Sequence, residues 1–153
     1  YRKDANYRSI DNNMRKLKEK ISEMDIDIER LELKSQDSKA ESLRAQQQRL
    51  VNQYDKLSLQ ETELRSKVED AFPKSYWRKE MEGQRKVIEK LQGRVDKTQR
   101  RLEFFKRQSE RGIDDGGLID FYTKILKERE DNVKMAASLY DAMQRKYDSA
   151  DEK

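Results

Sequence analysis

The chain has 153 residues, 43% of them charged and 33% hydrophobic, with a formal net charge of +4, five glycines, one proline, and neither cysteine nor histidine. That composition excludes an ordinary globular core and suits helices that each bury one narrow stripe. It also excludes disulfides, thiol and imidazole catalysis, and zinc-finger ligand sets.

Residues 1–71 are expected to form one long outgoing helix. Ile10, Met14, Leu17, Ile21, Met24, Ile28 and Leu31 alternate spacings of four and three, the a/d seam of a coiled coil. Beyond Leu31 the phase shifts, and Leu43, Leu50, Tyr54, Leu57 and Leu64 carry the new seam. A hairpin tip is expected at 72–75, because Pro73 cannot sit inside a helix without losing a hydrogen bond. There Phe72, Pro73, Tyr76 and Trp77 would close the end of the seam. A first return helix covers 76–111, with Trp77, Met81, Ile88, Leu91, Val95, Leu102 and Phe105 as its stripe. The segment GIDDGG fills a loop or bulge at 112–117, with Gly112 as a left-handed stop and Asp115 as a cap for the next helix. A second return helix occupies 118–150 and a frayed end 151–153. The chain opens on Tyr1 in place of Met, which reads as a segment of a longer protein.

Pairing residue i with 145 minus i sets Leu43 against Leu102, Leu50 against Val95 and Leu57 against Ile88. The polar positions then face one another, Gln47 with Thr98 and Glu61 with Gln84. The expected fold is all-α: a long antiparallel two-stranded coiled-coil hairpin with a break in the return arm, about 105 Å long at the helical rise. Arg44, Arg65, Arg78, Arg85, Arg94, Arg101 and Lys106 flank the seam and oppose the alternative, a three-helix bundle with a projecting N-terminal helix. Arg129, which falls opposite Ile21, fits the hairpin poorly.

The functional expectation is a non-enzymatic scaffold, spacer and interaction module. The last helix carries a second apolar row, Leu118, Phe121, Ile125, Met135, Leu139 and Ala142, which a two-stranded rod would leave in water as a surface for a protein partner or a homo-oligomer. Charge supplies the alternative, since residues 74–111 hold 13 basic against 6 acidic side chains. Lys79, Lys86, Lys90, Lys97, Arg100 and Arg107 would then contact a polyanion, a microtubule surface or nucleic acid. Against this, Glu82, Glu89, Asp96, Glu103 and Glu110 recur every seven residues, and three of them stand four residues before Lys86, Arg100 and Arg107, the favourable order for pairing within a helix. Asp114, Asp115 and Asp120 lack the order of a calcium loop, so no metal and no cofactor are expected, nor any catalytic residue or small-molecule substrate. No apolar run approaches the roughly 18 residues of a membrane span, so none is expected. The general form resembles the long antiparallel hairpins of cytoskeletal motors, chromosome-organising proteins and ciliary scaffolds. That resemblance implies a cytoplasmic, cytoskeletal or ciliary setting, or a nuclear one, and a parent assembly of that kind.

Overall fold

A computed structural model describes residues 5–68 and 72–150. The fold is all-α, with four helices among the described residues: α1 (Ala5–Leu33), α2 (Asp37–Val68), α3 (Lys74–Glu110) and α4 (Leu118–Ser149). No described helix is long and apolar enough to cross a membrane.

The expected outgoing helix is two helices, because the chain turns back at residues 34–36. Ser35 takes a left-handed φ of 57°, while the Gln36 and Ser35 amides donate to the carbonyls of Leu31 and Glu32. These two bonds form the Schellman stop, usually built on glycine. The α3–α4 corner repeats it, with Gly112 at φ 82° and the Ile113 and Gly112 amides donating to Gln108 and Ser109. The Asp115 carboxylate then accepts from the Gly117 and Ile119 amides and starts α4, as its capping chemistry predicts. At the tip Phe72 stacks on Tyr76, ring centroids 4.4 Å apart, and Pro73 stands immediately before α3. The segment 69–71 of the expected outgoing helix and the expected frayed end, 151–153, lie outside the described residues.

Helix α1 packs on α2, α2 on α4, and α3 on α4. The two-stranded rod is thereby corrected: α1 pairs with its immediate successor and makes no layer with α4, and the return arm folds over instead of continuing. The core is a three-helix bundle of α2, α3 and α4, as in the alternative reading, except that α1 lies along α2 and does not project. The reason lies in α2, which carries two seams. Leu43 and Leu57 share grooves with Leu31 and Leu17 of α1, and Leu50, Tyr54 and Leu64 follow at the same spacing. A second face, Glu41, Ala45, Gln48, Asn52, Asp55, Leu59, Thr62 and Ser66, has the same alternation of four and three but is mostly polar or small. It meets the α3–α4 pair: Ala45 packs with Leu102, Phe105, Tyr122 and Ile125, and Leu59 with Leu91, Ala136 and Leu139. Small residues there let the polypeptides approach while larger partners from α3 and α4 fill the space.

Of the arginines set against a bundle, Arg44, Arg65, Arg94 and Arg101 border the α2–α3 crevice, while Arg78 and Arg85 line a groove between α3 and α4 with Tyr140 and Tyr147. Arg65 pairs with Glu80 at 2.8 Å, Arg94 with Asp55 at 2.8 Å, and Arg101 with Glu41. Their aliphatic stems cover the core edge while the charged heads reach carboxylates at the rim.

Candidate functional site

The second apolar row of α4 is not an open surface. Ile125 and Leu139 are buried, Leu118, Phe121 and Met135 pack against the same two clusters, and Ala142 is half-buried. This corrects the expected partner site: in a bundle these side chains are the core that α3 and α2 cover. Of the tip residues, Trp77 is wholly buried beside the Lys146 ammonium, 4.9 Å from the ring centroid, and Phe72 stays exposed. The six basic residues, Lys79, Lys86, Lys90, Lys97, Arg100 and Arg107, are all exposed on α3, and Lys97 also borders a cleft toward α2. Acids share that exposed surface, and Arg85 pairs with Glu82 at 2.7 Å.

Two features that the periodicity did not reveal carry more chemistry. The first lies between α1 and α2, where a two-helix layer leaves one flank of its seam open. A groove of about 420 Å³ has half-buried Leu17 and Leu57 as its floor and Asn13, Lys16, Gln53 and Lys56 at its rim. A second, of about 330 Å³, has Leu31 and Leu43 below and Lys39, Ser42 and Gln46 above. Fourteen residues separate the floors on each helix, from Leu17 to Leu31 and from Leu57 to Leu43, a distance of about 21 Å along the axis. No carboxylate lines either groove, although Glu23 and Asp27 of α1 fall between them by spacing.

The second feature is a polar layer through the bundle centre. Arg129 is 5% exposed and donates from Nε to Asn52 Oδ1 at 2.6 Å, from Nη1 to Thr98 Oγ1 at 2.6 Å, and from Nη2 to Gln48 Oε1. Asn132 Nδ2 donates to the Asn52 carbonyl at 3.1 Å, and Asn52 Nδ2 to the Ile125 carbonyl at 3.2 Å. Gln84 Nε2 reaches the Ala136 carbonyl at 3.0 Å. Thr98 and Gln84 thus serve α4, and Gln47 turns to Asp25 and the Ile21 carbonyl on α1, so the polar pairings expected across a hairpin are replaced. Burial, then the neighbouring Arg94, lower the Arg129 pKa to about 10, which leaves it charged at neutral pH. Burial raises the Asp55 pKa above its ordinary range, against the opposing pull of Arg94.

No family of known proteins, no curated protein and no solved structure matches this chain.

Proposed function

We propose that the chain is a non-catalytic helical docking module in which the α1–α2 flank receives an acidic amphipathic helix from a partner protein. The observation that carries this reading is the pair of leucine-floored grooves two heptads apart, rimmed by Lys16, Lys39 and Lys56 and lined by no carboxylate. A partner helix with apolar side chains at i, i+7 and i+14 would seat its first and last in the two grooves and set glutamates against the lysines. The apolar contacts supply affinity, and the charges set orientation and encounter rate. A scaffold or spacer within a cytoskeletal, ciliary or chromosome-organising assembly is the setting we propose for such a module.

Fluorescence anisotropy of a labelled amphipathic peptide bearing Leu at those three positions and Glu beside them tests the reading. Binding is expected to fall by about tenfold or more in Lys16→Glu/Lys56→Glu, roughly 1.4 kcal/mol, with circular dichroism unchanged because both side chains are exposed. Equal binding by the variant, or no binding by the parent, sinks it. A second reading, contact of the α3 ridge with a polyanion, is favoured by the exposure of all six basic residues named above. It requires a steep loss of nucleic-acid or microtubule binding with salt.

A further inference from the structure

We propose that the cleft between α2 and α3 is a binding site for a small soluble anion carrying two or more linked phosphates, held by Arg44, Arg94, Lys97, Arg101 and Arg129. The cleft holds about 340 Å³ and also takes in Arg94, Gln48, Thr98 and Tyr122. Five cationic side chains therefore line it. Three carboxylates answer them directly: Glu41 pairs with both Arg44 and Arg101, Glu32 with Arg44, and Asp55 with Arg94.

Arg129 is the unusual member. It is 5% exposed and fixed by four neutral acceptors, Asn52, Thr98, Gln48 and the Arg94 carbonyl, with no carboxylate in ion-pair contact among the described residues. A buried cation next to other cations is costly, and a bound anion offsets that cost directly. Four of its five N–H groups are committed to these acceptors, so the one that remains is held in place for an oxyanion with little side-chain freedom to lose. Lys97 and Arg101 stand one turn apart on α3 and Arg44 faces them from α2, so donors converge from three helices on one space.

The spacing selects the ligand class. Arg94 and Arg101 are seven residues apart, about 10 Å along the axis, too far for one phosphate to engage both levels. Linked phosphates reach both, and guanidinium forks match their oxygens in pairs. The outer ridge of α3 differs in kind, because its cations alternate with acids on an open helix surface.

Isothermal calorimetry of the whole chain with tripolyphosphate, inorganic phosphate and sulfate at fixed ionic strength tests the site. One tripolyphosphate per chain is expected, with inorganic phosphate and sulfate about tenfold weaker or more. Lys97→Glu, an exposed change, is expected to abolish binding, whereas Lys79→Glu/Arg107→Glu on the ridge leaves it intact. Absence of saturable binding overturns the proposal. So does equal loss in the ridge variant, which would mean diffuse attraction to a basic helix, or equal affinity for all three anions.

Discussion

Arg129 of α4 donates from Nε to Asn52 Oδ1 of α2 at 2.6 Å, across the interior of the bundle. The contact fixes the relative height of two parallel helices, which apolar packing alone does not do, because one seam layer fills much like the next. Asn52 is almost without solvent, so its Oδ1 finds no water if Arg129 is removed. Arg129→Leu is expected to cost about 1–3 kcal/mol in urea unfolding, since Asn52 and Thr98 lose their donor. Adding Asn52→Leu should cost less than the two single changes together, by more than about 0.5 kcal/mol, because both ends of the contact are then apolar. Additive losses would mean that the two side chains do not meet.

Asp55 gives the bundle a pH response of defined sign. Burial, the largest influence, raises its pKa above the ordinary 3.8, outweighing the lowering pull of Arg94, Lys90 and Arg129. The folded chain therefore holds this proton more tightly than the unfolded chain. The contribution of Asp55 to stability is full below about pH 3.8 and is lost as pH rises through the folded value. On acidification toward pH 3.8 the parent should gain stability relative to Asp55→Asn, and the difference should level off below that pH. A shift in favour of the variant on acidification would show that the Arg94 pair dominates burial.

The apolar stripes of α1, α3 and α4, the corner at Pro73 and the stop at Gly112 were legible in the sequence because each rests on a strong local signal. The partner of α1 was not. A helix stop on Ser35 lacks the glycine that marks such turns, so two helices read as one. The bundle-facing side of α2 was hidden as well, since a seam of Glu41, Gln48, Asn52, Asp55, Thr62 and Ser66 scores as a solvated face unless its spacing is counted. With that side hidden, sequence spacing pairs the apolar seam of α2 with α3 and leaves the second row of α4 without a cover. The docking grooves are hidden for the same reason. Their one available signal was the stripe Lys39, Ser42, Gln46, Arg49, Gln53 and Lys56, at seam spacing and free of acids.

The turn at Ser35 is open to a direct test. A left-handed residue with a Cβ carries a strain of about 1–2 kcal/mol that glycine does not have, partly offset by the greater freedom of glycine when unfolded. Ser35→Gly should leave stability unchanged or raise it by up to about 1 kcal/mol, and Ser35→Val should lower it by more than that. The opposite order in thermal unfolding would be the signature of a helix running unbroken through residues 34–36.

The position of the α4 row decides between a bundle and a rod. Leu139 is 7% exposed and packs with Leu59, Leu91 and Ala136, whereas Phe104, an equally apolar residue on α3, is 44% exposed. A carboxylate placed at residue 139 has no partner in that cluster and must be desolvated or protonated, a cost of several kcal/mol in a fold whose total stability is about 5–15 kcal/mol. Leu139→Glu is therefore expected to unfold α2, α3 and α4 together, seen as loss of helical circular dichroism at room temperature or a midpoint lowered by well over ten degrees. Phe104→Glu should change stability by no more than about 0.5 kcal/mol, because its ring already meets water. A folded Leu139→Glu chain with altered association would instead restore the row as an open interface and remove α2 from its place over α4.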